Sequence, residues 1–346
     1  MQSKKFTCLI SCAVLSMGIV ASASASAQMN PDRFLQRWDA NGDGQVSKNE
    51  FGGKRRPFSD FDKNGDGVAT REEIEAVFGG RANGGINTGG GIAGPRLEGQ
   101  VPAKLVGRDL ICAIARYRNC DGKLAVDRGL FPTGLRPTFP DGFVCHGIDE
   151  PFAKDYSGSR GREAYHGGID MPANYGTPML AIANGMVLTN VDPQMSARGK
   201  EVIIRHTPED TGIPLYIYSQ YAHLDERSAL KPGERVKMGD VVGPTGNSGS
   251  MPLNSKAGAM RRPAIHFAIW FSDKPDYAID PQGNVVPKDG WWMDPTAVYR
   301  LSPPFDSDSM KALPDADKWV RIPVMIEGGG TQPAGTRLIW PYACRT

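Results

Sequence analysis

His166 and Asp170 stand four residues apart in Tyr165-His166-Gly167-Gly168-Ile169-Asp170, and His266 follows a hundred residues later inside the apolar run Ile265-His266-Phe267. Two imidazoles and a carboxylate make a three-ligand set for zinc that leaves one coordination position open. Hydrolysis needs that open position, because zinc lowers the pKa of a bound water toward neutrality. The chain holds five histidines, so each can be weighed. His223, in Tyr221-Ala222-His223-Leu224, is the candidate catalytic partner of the metal; the bland alternative is a buried histidine bonded to backbone. His206 ends an apolar run and reads as structural. His146, in Cys145-His146-Gly147-Ile148-Asp149-Glu150, reads as structural or at most as an occluding element. Ser248 lacks the closing glycine of a Gly-x-Ser-x-Gly elbow, which removes serine hydrolysis from the leading readings.

A second metal chemistry is written near the start. From Asp39 to Glu50 the chain matches the twelve-residue calcium loop, with Gly44 at the sharp turn and an acid able to bind bidentately at the end. Asp39, Asn41, Asp43, Ser47 and Glu50 would supply side-chain oxygens and Gln45 a backbone carbonyl. The stretch from Asp62 to Glu73 repeats the pattern with Asp62, Asn64, Asp66, Thr70 and Glu73, and Val68 in the carbonyl position. Here the chain resembles the EF-hand family, in a structural or weak extracellular form. Asn30 and Pro31 open a helix that carries Phe34, Leu35 and Trp38 inward. A closing helix runs from Arg71 to Phe78. Eleven residues separate Glu50 from Asp62 and include Gly52, Gly53 and Pro57, so the middle helices must be short.

The elements that would position the zinc ligands are strands. Past a glycine-rich stretch from Gly79 to Gly94, which reads as a flexible linker, the texture turns to short β-branched and aromatic runs broken by Gly and Pro. Pro178–Ala183, Glu201–Arg205, Pro214–Tyr218 and Ala264–Phe271 are examples, and their spacing predicts an antiparallel β domain with few helices.

The order of motifs then becomes specific. His166-x-x-x-Asp170, Gly176-Thr177-Pro178, Tyr221-Ala222-His223-Leu224, Gly239-Asp240, Gly246-Asn247-Ser248-Gly249 and Ile265-His266-Phe267 together resemble the lysostaphin-type (LytM-like) zinc metalloendopeptidases, with Asp294-Pro295-Thr296 similar to the family's closing segment. The resemblance implies a β-sheet groove for peptidoglycan peptides and zinc held by His166, Asp170 and His266. It also implies a place for His223 beside the reacting carbonyl. One departure stands out. The family's last motif is His-x-His, and its first histidine is replaced here by Ala264. Residues two apart on a strand share a face, so Ala264 offers the metal side only a methyl group. Loss of a positioned acid–base group costs about 10²–10⁴ in rate. The basic loop from Ser250 to Pro263 could bring Lys256 or Arg261 as a substitute.

Composition bounds the rest. Lys4, Lys5, an apolar run from Phe6 to about Val20 and Ala25-Ser26-Ala27 read as a secretory leader cleaved before Gln28, and the run ahead of Cys12 is too short for a lipoprotein signal. No later segment is apolar for long enough to span a membrane. Without the leader, 38 basic side chains face 38 acidic ones, which argues against a nucleic-acid partner recruited by bulk charge. Cys112, Cys120, Cys145 and Cys344 remain, to be paired in an oxidising compartment. Of three connectivities, Cys112–Cys120 with Cys145–Cys344 is favoured.

The expected organisation is mostly β. It comprises a leader (1–27), a small α-helical EF-hand pair (28–79), a linker (80–100), an antiparallel β-sheet peptidase domain (101–302) and a C-terminal extension (303–346). The expected protein is periplasmic or secreted, binds Zn2+ and Ca2+, and binds or cleaves peptidoglycan peptides. Its alternative is a wall-binding adaptor that regulates another wall hydrolase.

Overall fold

The computed structural model describes residues 31–52, 57–79, 96–117, 119–148, 166–191, 198–249 and 262–346. The leader, linker residues 80–95 and the candidate substitutes Lys256 and Arg261 lie outside them. The chain forms two compact units, residues 1–86 and 87–346. Among the described residues no helix is long and apolar enough to cross a membrane.

In the first unit, helix α1 (Pro31–Trp38) leads into the first calcium loop and helix α2 (Arg71–Gly79) leaves the second. The loops join through a two-stranded ribbon, β1 (Val46–Ser47) with β2 (Val68–Ala69), in which Val46 faces Ala69. Between the loops a single 3-10 turn, Phe58–Asp60, replaces any longer helix, which is what the short glycine- and proline-bearing spacer allows. Phe34, Val46, Phe61, Ala69 and Ile74 are buried, with Trp38, Phe51 and Phe58 packed against them. A core this small supplies little stabilisation on its own, and ligation of metal commonly supplies the remainder.

The second unit is built on a seven-stranded antiparallel sheet. After helix α3 (Arg108–Ala115) and a short strand β3 (Arg136–Thr138), the strands are β4 (Ile169–Pro172), β5 (Pro178–Leu180), β6 (Gly185–Val191), β7 (Glu201–His206), β8 (Tyr216–Ala222), β9 (Arg235–Val236), β10 (Val241–Pro244), β11 (Ala264–Ser272), β12 (Tyr277–Ile279), β13 (Val285–Pro287) and β14 (Trp291–Met293). The main sheet runs β14-β11-β8-β7-β6-β9, and β4 pairs with the first half of β11 on the edge that β14 takes in the second half. β5 pairs with β10, and β12 with β13.

Both faces of the sheet are buried, so its strands read as near-continuous apolar runs rather than as alternation; every residue of β7 and β11 is buried. One face packs Ile265, Phe267, Tyr221, Val202 and Ile204 into the core. The C-terminal residues belong to that same core. Ile322, Val324, Leu338, Trp340 and Tyr342 are fully buried, Leu180 N donates to Pro341 O (2.8 Å), and Ile339 N donates to Ile182 O (2.9 Å). A short strand, β15 (Trp319–Arg321), pairs in parallel with β3. Leu338, Ile339 and Trp340 are buried without belonging to a strand. The disulfides are Cys112–Cys120 and Cys145–Cys344, the favoured connectivity.

His206 closes β7 inside the core. Its Nδ1–H donates to Asn184 O (2.6 Å), and its Nε2 lies 2.7 Å from Ser219 Oγ, so the neutral ring is fully satisfied. Burial pushes its pKa down from 6.5 to about 4. The unfolded chain therefore takes up a proton first as the pH falls, and stability is lost from about pH 6.5 down to about pH 4, by up to about 3 kcal/mol. Urea unfolding of His206→Gln should lack that share of the acid loss. An identical pH slope in parent and variant would refute the assignment.

Candidate metal centre

The first half of β11 brings the ligand candidates together. His266 pairs directly with Asp170 across the β4–β11 ladder. Ala173 N donates to Pro263 O (3.4 Å), which puts His266 and Asp170 in the non-hydrogen-bonded phase, where facing side chains stand closest. His166 enters from the turn before β4. There Gly167 takes φ +75, a left-handed conformation that favours glycine.

The three donor atoms form a nearly equilateral triangle. His266 Nδ1 lies 3.1 Å from His166 Nε2 and 3.2 Å from Asp170 Oδ1, and His166 Nε2 lies 3.3 Å from Asp170 Oδ1. Ligands about 2.0–2.1 Å from a tetrahedral zinc are separated by roughly 3.3–3.4 Å, so the donors fit one face of such a tetrahedron. Among the described residues this is the one group of three His, Cys, Asp or Glu whose ligand atoms lie within 4.8 Å. All three side chains are at most 9% exposed. Burial opposes ionisation of Asp170, but hydrogen bonds from His166 and His266 outweigh it and hold the carboxyl far below its usual range. Burial keeps His266 neutral by lowering its pKa well below 6.5. An ionised carboxylate beside a neutral imidazole is the protonation state a divalent ion requires.

Gly168 sets how His266 sits. A Cβ built there would fall 2.5 Å from both Cε1 and Nε2 of His266 and 2.9 Å from Phe267 O. The ring edge thus lies against bare backbone, and His266 Nε2 is buried with no hydrogen-bond partner among the described residues. Gly168→Ala should cost about 1–3 kcal/mol by overpacking and displace His266 Nδ1 from the triangle. Chemical denaturation and zinc titration would check both. A variant with unchanged stability and zinc affinity would show that the ring is not held by this contact.

His223 follows β8 directly, with φ +68. Its N–H donates to Arg198 O (3.1 Å) and its Nδ1 lies 2.7 Å from Ser248 O. Ser248 Oγ in turn donates to Leu224 O (2.6 Å) and accepts from Lys200 N (3.0 Å). The His223 ring centroid is 5.7 Å from that of His266. Ala264 lies opposite Pro172, on the same face as His266, and is 3% exposed. His146 stands at the outer edge of β4, with its Nδ1 3.0 Å from Pro172 O.

Arg116 was not legible as part of the site. It ends α3 with φ +53, and its guanidinium sits where a Cβ on Gly167 would be, 2.6 Å from that position. It lies 5.4 Å over the Trp292 ring, and burial, with Arg198 nearby, pushes its pKa down to about 9. The Gly167-Gly168 doublet was the one hint in sequence that bulky groups approach this turn.

The calcium-loop residues are arranged differently. Asp39 accepts from Gly42 N (2.7 Å) and Gly44 N (2.9 Å), and Glu50 accepts from Ser47 N (2.8 Å) and Asn41 N (3.2 Å). In the second loop Asp62 accepts from Gly65 N (2.8 Å) and Glu73 from Thr70 N (2.9 Å). Hydrogen bonds from Thr70 hold Glu73 down at about 2, and those from Ser47 lower Glu50. Asp43 and Asp66 accept from Gln45 N and Val68 N, both at 2.9 Å. Each loop is thus folded around its acids, although those carboxylates are not drawn as close as the triangle above.

A three-donor group thus lies on an antiparallel sheet, and two acid-centred loops precede it in the chain. Residues 164–281 match Peptidase family M23, and residues 32–53 and 56–78 each match the EF hand. The chain therefore carries an M23 peptidase domain and an EF-hand pair. It is 32% identical over 109 residues to an uncharacterized metalloprotease of Buchnera aphidicola subsp. Baizongia pistaciae, covering 32% of this chain and 24% of that protein. It is 35% identical over 89 residues to one of Haemophilus influenzae, covering 26% and 17%. The chain thus spans a quarter or less of these relatives. Among solved structures, the catalytic domain of the antimicrobial peptidase lysostaphin from Staphylococcus simulans is 23% identical, with 33% of this chain and 74% of that one covered and a TM-score of 0.25. An alanine-to-histidine mutant of the catalytic domain of the prophage-encoded M23 protein EnpA from Enterococcus faecalis is 25% identical, with 45% and 95% covered and a TM-score of 0.27.

Proposed function

We propose that this chain is an exported zinc metalloendopeptidase-type protein that binds the peptides of peptidoglycan and hydrolyses them at a rate reduced by Ala264. The observation that carries this reading is the 3.1–3.3 Å triangle of His166 Nε2, Asp170 Oδ1 and His266 Nδ1. Those atoms would hold zinc, which when bound supplies Lewis-acid activation of a water and of the substrate carbonyl. His223 is the residue that would face the reacting carbonyl. Its Nδ1 is committed to Ser248 O, so contact with substrate runs through Nε2. The methyl of Ala264 provides no proton acceptor.

That gap favours a second reading, a wall-binding adaptor or regulator of a partner wall hydrolase. Sacculi incubated with the leader-free protein, with zinc and after chelation, separate the two. Zinc-dependent release of soluble fragments supports the enzyme, and pelleting with sacculi without release supports the adaptor. Neither release nor pelleting would overturn both.

The EF-hand pair would hold two Ca2+ ions through Asp39, Asn41, Asp43, Gln45, Ser47 and Glu50, and through Asp62, Asn64, Asp66, Val68, Thr70 and Glu73. Calorimetry should count about two calcium ions in the parent and about one in Glu50→Gln or Glu73→Gln, since the bidentate twelfth position closes each site. Two ions retained in both variants would remove these glutamates from the ligand sets.

A further inference from the structure

The face of the sheet that bears the metal ligands continues past them. Its cross-strand rows run from Asp170, His266, Ala222 and Glu201, through Ala268, Gln220 and Ile203, to Trp292, Trp270, Tyr218 and Arg205. Rows two residues apart lie about 7 Å apart. Gln220 is thus about one row, and Trp270 about two rows, from the donor triangle. The alanines at 222 and 268 leave the floor beside His266 shallow in side-chain bulk.

Of the polar atoms on this face that are buried without a hydrogen-bond partner among the described residues, which also include Tyr218 Oη, Arg205 Nε and His266 Nε2, two share one cavity. They are the acceptor Gln220 Oε1 and the donor Trp270 Nε1, on residues 1% and 3% exposed. Gln220 Nε2 is already spent on Glu201 Oε2 (3.1 Å), which fixes the amide with its oxygen outward. Both residues line one cavity, together with Arg198, Asn284, Trp292 and Ile114. The cavity has room for about one water molecule. Helix α3 supplies Ile114 to its lining, and the helix is held there by Ala113 O, which accepts from Trp292 Nε1 (3.0 Å), and by the Cys112–Cys120 disulfide. An orphaned buried donor or acceptor costs about 1–3 kcal/mol, and two of them under an apolar helix on a metal-bearing face mark a surface made for a different occupant.

We propose that Gln220 Oε1 and Trp270 Nε1 form a subsite for the backbone N–H and C=O of one residue of the substrate peptide, two to four residues from the bond at the metal, and that α3 covers this subsite in the state seen here. One residue of an extended peptide presents its N–H and its C=O toward the same side, the donor and the acceptor that the two atoms lack. An extended peptide advances about 3.3 Å per residue, which matches the one-row and two-row offsets. This inference rests on the proposed function and adds the determinants that would grip the peptide away from the reacting bond.

The test uses the full leader-free chain, zinc-loaded, and a soluble wall-derived peptide as probe, with affinity read by calorimetry. Trp270→Phe keeps the ring and removes the donor; Gln220→Met keeps the bulk and removes the acceptor. Cys112→Ser combined with Cys120→Ser loosens α3. The loosened chain should bind at least 10-fold more tightly than the parent, and adding Trp270→Phe or Gln220→Met should return that gain while zinc affinity stays unchanged. Equal peptide affinity with and without the two polar groups would overturn the subsite and leave a single buried water as the cavity's content. No peptide binding by any chain, with zinc still bound, would instead overturn the wall-peptide reading on which it rests.

Discussion

Replacing Ala264 by histidine is expected to raise the rate of peptide hydrolysis by about 10²–10⁴, the usual contribution of one positioned acid–base group. The position is prepared for it. Ala264 is two residues before His266 on β11 and therefore on the same face, one cross-strand row from the Asp170–His266 pair. An imidazole at this place would complete the His-x-His that the sequence otherwise lacks, on the side of His266 opposite Gln220. The gain belongs to proton transfer, so kcat should rise with KM and zinc content little changed. Stability should move the other way. Ala264 is 3% exposed, and forcing an imidazole into a packed position costs about 1–3 kcal/mol. Turnover of a wall-derived peptide, measured beside the urea midpoint and the bound zinc, separates the two effects. A folded, zinc-loaded Ala264→His chain no faster than its parent would mean that the missing histidine does not limit this protein.

What could be read from sequence divides along a physical line. The two EF-hand loops were legible because their pattern is local: twelve consecutive residues fix both composition and turn. The strands around His266 and His223 were legible from β-branched and aromatic runs, and β11 was read almost to its ends. β8 begins at Tyr216 rather than Pro214, since proline cannot donate to the ladder. The packing of α3 against Trp292 was not legible. Burial on both faces erases the alternation that would show which side of a strand carries a groove, and nothing in Arg108–Ala115 says that Ile114 will line one cavity with Gln220 and Trp270. The C-terminal residues were opaque for a related reason. Trp340 and Tyr342 enter the core through loop backbone, held by Trp340 Nε1 to His146 O (2.7 Å) and by the Tyr342 hydroxyl at Thr245 (2.6 Å), with no periodic pattern to announce it.

The second large effect is expected at Asp170. Exchanging its carboxylate for an amide in Asp170→Asn keeps the volume and an oxygen near His266 Nδ1, now 3.2 Å from Asp170 Oδ1. Metal-free stability should therefore change by no more than about 3 kcal/mol, the scale of hydrogen bonds that keep their partners but lose a charge. Zinc affinity should respond quite differently. The carboxylate carries the one negative charge in the donor set, and without it a divalent ion would be held by neutral donors alone, on side chains at most 9% exposed. Altering a group that merely orients a zinc ligand costs 10–100-fold in affinity, so losing the charged ligand itself should cost at least about 100-fold. At a zinc concentration about 1,000 times the parent dissociation constant, binding stabilises the parent by about 4 kcal/mol, and a 100-fold weaker variant by about 1.4 kcal/mol. Paired melts with and without zinc read that difference directly. Equal zinc-induced stabilisation in both chains would place the metal elsewhere, whereas a variant already unstable without zinc would show that Asp170 serves the fold before it serves the ion.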